Sequence, residues 1–369
     1  MNPRSSAWTL ALMFAVLVVY ASLYPFEGWR MQGVLPFAFL QAPWPRYWTG
    51  FDVLSNLIGY APLGFLLALA MLRGGWGGWS WWWAIGLASV LSLLLEALQN
   101  FLPMRVPSNV DLGLNVAGAV LGASTAWVLQ QMGALRRWGQ FRAEWFDHRA
   151  HGGLVLLALW PFALLYPVSV PFGLGQVWER LEDGLSRLLA ETPFLSWLPL
   201  RAETLLPLSP LAEAFCVSLG LLAPLLMGYA DMRSWGRRAV FLILLFGCAV
   251  GAAGLSAALT YGPEHAWSWI SPPTGVGMGL ALLAGLALLA LPARLCHVAM
   301  LLCLAVSLSL LNRVPVSPYF AQSLQVWEQG RFIRFHGLSQ WLGWLWPFAA
   351  LLFGARAVVR ASSARGGAD

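Results

Sequence analysis

Ten stretches of this chain, each about 17–23 residues long, are almost free of charge. A helix rising 1.5 Å per residue needs about 20 such residues to cross the hydrocarbon of a bilayer. They fall at 8–24, 54–72, 81–102, 110–131, 152–170, 210–229, 238–260, 273–291, 294–312 and 341–359. With 59% hydrophobic and only 10% charged residues, the chain has too little polar surface for a soluble domain. The expectation is an all-α, polytopic transmembrane bundle of about ten helices. The eighth and ninth runs are separated only by Pro292 to Arg294, which demands a tight helical hairpin.

Arginine placement sets the expected orientation, because cytoplasmic loops retain basic residues. Residues 132–151 hold Arg136, Arg137, Arg142 and Arg149, and residues 230–238 hold Arg233, Arg237 and Arg238. Placing both loops inside makes both termini cytoplasmic. The net charge of +6 follows from this bias and does not argue for nucleic acid. The chain then divides into a four-helix transmembrane domain over 1–131 and a basic cytoplasmic linker over 132–151. A second transmembrane unit follows over 152–312, carrying an outer amphipathic segment at 171–209. Residues 313–369 supply an outer interfacial segment, the last transmembrane helix and a short cytoplasmic tail.

Echoes along the chain point to degenerate four-helix repeats. Leu23-Tyr24-Pro25-Phe26 is matched by Tyr166 to Phe172 and by Pro315 to Phe320. Gln-Val-Trp-Glu recurs at 176–179 and 325–328, and Ala-Pro-Leu at 61–63 and 223–225. Residues 27–50 interleave Trp29, Phe37, Phe39, Trp44, Tyr47 and Trp48 with proline, a composition suited to the headgroup region. Between Gln176 and Ala190, Val177, Trp178, Leu181, Leu185, Leu188 and Leu189 share one helical face, opposite Glu179, Arg180, Glu182, Asp183 and Arg187.

Polar residues inside apolar runs carry a solvation cost and therefore mark structure or function. Asn56, Glu96, Gln99, Arg105, Ser108, Asp111 and Asn115 sit at the ends of the second, third and fourth runs, so the topology brings them to one depth on one side. Glu96 and Gln99 share a helical face, as do Asp111 and Asn115, and Gly118 and Gly122 continue the latter as a small-residue stripe that admits close helix approach. Two readings stand side by side: an ion and hydrogen-bond network of Glu96, Arg105 and Asp111 that fixes packing, or a ligand site. Arg331, Arg334 and His336, in an aromatic and basic stretch before the last run, form a second candidate able to touch lipid phosphate.

These residues resemble the VanZ-like family of bacterial membrane proteins. The resemblance is carried by Asn56 six residues before Pro62-Leu63-Gly64-Phe65, by Glu96-x-x-Gln99, by Pro103-x-Arg105, and by Ser108, Asp111, Asn115, Gly118 and Gly122 in that spacing. It covers roughly residues 8 to 131. It implies a multi-pass protein of the bacterial cytoplasmic (inner) membrane, connected through the family's name to susceptibility to the glycopeptide teicoplanin. The expected role is non-enzymatic binding, in the outer leaflet, of a lipid headgroup, a lipid-linked glycan or an amphiphilic drug. The alternatives are a membrane-embedded enzyme acting on a lipid-linked substrate and a transporter or flippase. Membrane lipids are the expected partners. No P-loop, nucleophile elbow, zinc motif or dinucleotide fingerprint occurs, so neither metal nor cofactor is expected. His148 and His151 lie three apart but lack a third ligand.

Overall fold

Backbone groups in hydrocarbon must be satisfied within the segment that crosses it, which leaves the helix as the element open to each apolar run. The computed structural model describes residues 6–24, 26, 28–44, 50–103, 105–146, 151–166, 168–197, 207–314 and 333–366. Each of the ten runs forms a helix there. Eight helices are long and apolar enough to cross a membrane, and two, covering residues 7–23 and 152–163, are shorter. The chain is a helical multi-pass membrane protein. It divides into two compact units, Met1–Phe141 and Arg142–Asp369.

The first unit contains α1 (Ser6–Leu23), α2 (Gly50–Arg73), α3 (Trp79–Gln99) and α4 (Asn109–Gln131). Its central feature is the approach of α2 to α4. A Cβ at Gly64 would overlap the Ala119 carbonyl, one at Gly118 the Leu57 carbonyl, and one at Gly122 the Ala61 carbonyl. The stripe read from the sequence therefore brings the two backbones into contact, the arrangement by which membrane helices gain dispersion energy without a hydrophobic driving force. A layer of alanines, Ala68, Ala84, Ala123 and Ala126, carries the packing toward one end. Larger side chains, among them Val18, Tyr60, Leu63 and Leu95, fill the other. Four exposed tryptophans, Trp76, Trp79, Trp82 and Trp83, ring the turn from α2 to α3, as an interfacial belt does.

At the opposite end, residues 28–44 are strapped to the α3–α4 hairpin. The Arg30 amide donates to Phe101 O at 2.9 Å, Gln32 Nε2 to Asn100 O at 2.8 Å, Asn100 Nδ2 to Pro36 O at 2.6 Å and Asn109 Nδ2 to Ala42 O at 2.7 Å. Phe39 is buried beneath the strap, whereas Met31, Leu35 and Trp44 are exposed. Tyr47 and Trp48 lie outside the described residues. The basic linker after α4 is helical over α5 (Ala134–Trp145), which the sequence reading left unstructured. Ala, Leu, Arg, Gln and Glu are good helix formers, and Trp138 and Phe141 stack on its exposed apolar side.

The second unit comprises α6 (His151–Ala163), α7 (Trp178–Leu189), α8 (Pro210–Asp231), α9 (Trp235–Tyr261), α10 (Pro272–Ala287), α11 (Ala293–Leu311) and α12 (Ile333–Gly366). Helix α8 is its axis. From Cys216 to Tyr229 every side chain is buried, and at Gly220 a Cβ would overlap the Phe172 carbonyl. The α10–α11 hairpin turns as tightly as expected, through a single 3-10 turn and Pro292. It is closed by the buried Arg238, which donates to Leu289 O and Leu291 O, both at 2.7 Å.

The fifth run departs from expectation. Its helix stops at Ala163, seven residues before the apolar run ends, because Pro161, Pro167, Pro171, Gly173 and Gly175 cannot sustain it. Residues 164–166 and 168–177 continue as turns and irregular backbone, yet Tyr166, Val170, Phe172 and Leu174 are buried. Irregular backbone of this kind is tolerated in a membrane protein when protein surrounds it. Asn312, at the end of α11, serves much of it: Nδ2 donates to Gly175 O at 3.0 Å, and Oδ1 accepts from the amides of Val177 and Trp178, both at 3.0 Å. Helix α7 begins there as the predicted amphipathic helix, with Trp178, Leu181 and Leu188 exposed. Phe26 and Phe172, each following a proline, both take positive φ. His148, residues 198–206, and the echoes at 315–320 and 325–328 lie outside the described residues.

Replacing Gly122 with alanine puts a methyl group where the Ala61 carbonyl stands. It is expected to cost roughly 1–3 kcal/mol, the usual penalty for overpacking a close interface. Thermal melts of the purified protein test this. An unchanged melting temperature in Gly122→Ala, with Gly113→Ala as the control in open space, refutes the close-approach account.

Candidate functional site

The end of the first unit where α1 and α3 finish and α2 and α4 begin gathers every residue of the polar set. Asn56 lies in the second turn of α2, Glu96 and Gln99 in the last turn of α3, Arg105 and Ser108 in the hairpin, and Asp111 and Asn115 in the first two turns of α4. Ser108 starts α4 as its N-cap, its Oγ accepting from the amides of Val110 at 3.2 Å and Asp111 at 3.3 Å. Asp111 follows in the first turn, where a carboxylate is favoured by the helix dipole.

The set separates into two tiers. Glu96, Gln99 and Asn115 are buried, at 4%, 8% and 5% exposure. Each ties helices together. Glu96 Oε2 accepts from the Ser108 amide at 2.9 Å, Gln99 Nε2 donates to Ser22 O on α1 at 3.0 Å, and Asn115 Nδ2 donates to Ser92 Oγ on α3 at 2.9 Å. Tyr60 stands beside Ser92 and within electrostatic reach of Glu96. Asn115 Oδ1 is buried without a hydrogen-bond partner among the described residues.

Asn56, Arg105, Ser108 and Asp111 form the second tier and are half-buried. Asn56 Nδ2 donates to Asp111 Oδ1 at 2.9 Å across the α2–α4 interface. The Arg105 guanidinium donates to Tyr24 O at 2.6 Å and Ala21 O at 3.5 Å, caring for the carbonyls at the C-terminal end of α1. At the same end of the unit Leu54 and Ile58 on α2 and Val106 in the hairpin are exposed and apolar. The tier thus offers a guanidinium, a carboxylate, an amide and a hydroxyl at a helix-bundle end bordered by apolar surface. That combination suits a polar head joined to an apolar tail.

Of the second candidate set, Arg331 lies outside the described residues. Arg334 and His336 occupy the first turn of α12, with side chains outside the description. Sequence reasoning passed over Ser92, Tyr60, Asn100 and Asn109. Ser92 had a signal, since it precedes Glu96 by four residues and so shares its face. It also passed over a cavity of about 760 Å³ in the second unit, where Ser256, Thr260, Glu213, Ser271, His265 and Trp269 line one end of α9. There Ser271 Oγ donates to Glu213 Oε1 at 3.1 Å, and Phe172 meets the Trp269 ring edge-on.

No curated protein and no solved structure matches the chain. Residues 7–130, which span the whole of this polar end and the four helices that build it, match the family model VanZ/LLP1, so that the N-terminal third of the chain is a domain of VanZ type.

Proposed function

We propose that the first unit binds the polar head of a membrane amphiphile, a lipid, a lipid-linked glycan or an amphiphilic drug, through Asn56, Arg105, Ser108 and Asp111. The observation that carries this reading is the division of the cluster into tiers. Glu96, Gln99 and Asn115 are consumed in tying α1, α3, α4 and the hairpin together, and the half-buried tier stands on that platform beside exposed apolar residues. A buried carboxylate held by a backbone amide is a positioning device. A guanidinium and a carboxylate at the rim can receive phosphate, sugar hydroxyls or an ammonium group. The polar end faces outward in this reading, where external glycopeptides and detergents act. The two left-handed phenylalanines also favour a duplicated ancestry for the two units.

Variants of the two tiers are expected to part company. Glu96→Ala leaves the Ser108 amide without its acceptor and lowers stability by roughly 1–3 kcal/mol. Asp111→Asn, whose amide oxygen can still accept from Asn56, keeps the melting temperature within a degree or two of wild type, and Arg105→Gln, which gives up the bond to Tyr24 O, costs less than Glu96→Ala; both fail to restore teicoplanin or detergent tolerance to a deletion strain. Tolerance falling only in step with the melting temperature, across all three variants, overturns the binding reading in favour of a purely structural cluster.

Orientation has its own test within the unit. In a cysteine-free background, Val106→Cys in the hairpin is expected to react with an impermeant thiol reagent in intact spheroplasts, and Gln140→Cys on α5 only after permeabilisation. The reverse pattern places the polar end in the cytoplasm and removes its access to external drugs.

A further inference from the structure

A cavity of about 610 Å³ opens at the end of the second unit where α8 finishes, α11 begins and the last turns of α12 pass. Arg294 on α11 and Arg356 and Arg360 on α12 line it, together with His297, Asp231 and Gly152. Arg356 and Arg360 are four residues apart on one helix, so their guanidinium groups share a face. Like charges so spaced repel, and Arg294 brings a third to the same hollow from the facing helix. The first turn of α11 borders the cavity through Ala293 and Arg294, and an N-terminal turn adds partial positive charge. Among the described residues the lining holds one carboxylate, Asp231, against three guanidinium groups, so the hollow is cationic overall.

An orphan acceptor sits in the same wall. His297 Nδ1 lies 3.0 Å from Ala293 O and must donate to it, which leaves Nε2 as an acceptor. That Nε2 is buried and has no hydrogen-bond partner among the described residues. The occupant suggested by these groups carries an anion for the arginines and a donor for His297 Nε2. Leu352 in the lining and Leu345 before it on α12 are exposed and apolar, as are Leu295 and Leu302 on α11. These surfaces run on from the arginines as acyl chains run on from a headgroup.

We infer that this cavity is a binding site for a phosphate ester, supplied by an anionic membrane lipid whose headgroup bears hydroxyls, with the phosphate held by Arg294, Arg356 and Arg360. Guanidinium groups suit this task because each presents paired N–H donors to two phosphate oxygens. The site is separate from the polar end of the first unit and does not depend on its function. Arginines that served only as interfacial anchors would need no hollow between them and no buried acceptor beside them.

The test uses the full chain, delipidated in detergent, with lipid binding followed by native mass spectrometry and by the melting temperature. Phosphatidylglycerol is expected to bind and to raise the melting temperature, whereas phosphatidylcholine does neither. Arg356→Gln/Arg360→Gln is expected to weaken phosphatidylglycerol binding by about tenfold or more, as loss of charge-assisted bonds to phosphate does. Arg356→Lys/Arg360→Lys, which retains charge and guards against a folding defect, falls between. The charge-matched pair Arg136→Gln/Arg137→Gln on α5 binds as wild type. Equal binding by wild type and the Arg356→Gln/Arg360→Gln variant overturns the site, as does an equal loss in the α5 control. Inorganic phosphate is expected to compete only weakly. Full competition by inorganic phosphate, with no gain from the lipid, overturns the lipid as the source of the ester.

Discussion

The geometry of the polar end depends on the distance between two backbones. Only where α2 and α4 touch at Gly64, Gly118 and Gly122 can Asn56 reach Asp111, since an asparagine and an aspartate side chain together span little more than a single interhelical gap. In lipid, such contact is not driven by exclusion of water, so shape does the work that hydrophobic burial does in soluble proteins. Polar side chains then fix what shape brings together. Each bond in the deep tier joins a different pair of elements, α3 to the hairpin, α3 to α1 and α4 to α3, so the bundle end is braced in several directions.

The second unit solves the same problem by another route. Its axis, α8, is enclosed on nearly every side, and two polar anchors, Arg238 and Asn312, bind backbone carbonyls and amides. Arg238 gathers the carbonyls that the α10–α11 turn leaves free, and Asn312 serves the stretch where α6 has unwound. Both residues substitute for the helical hydrogen bonds missing at those places. Their cost in hydrocarbon is offset by the backbone groups they satisfy.

Most of the architecture was readable because an apolar run of membrane-spanning length has few alternatives to a helix. The convergence of Asn56, Glu96, Gln99, Arg105, Ser108, Asp111 and Asn115 was equally readable, following from antiparallel helices and their common end. The backbone partners were not. Sequence suggested charge meeting charge among Glu96, Arg105 and Asp111; to that the structure adds the Ser108 amide, the Tyr24 carbonyl and Asn56 as partners. Backbone partners leave no trace in residue type, so a side chain that serves them reads as available for something else. For the same reason Asn312 went unnoticed at the end of its run. The early stop of α6 was visible in its prolines, but the hydropathy of 164–170 outweighed them.

That early stop bears on how the chain is made. Thirteen helical residues are too few to settle across a bilayer alone, and the Gly175 carbonyl just beyond them is served by Asn312, 137 residues further along the chain. During synthesis, α6 and its unwound extension leave the ribosome long before α11 exists. Until then their exposed amides and carbonyls have only water, the translocon or an insertion chaperone to bond with. The second unit is thus committed to late assembly, its fifth apolar segment completed from behind by the ninth, while the four helices of the first unit hold all their described partners within their own span.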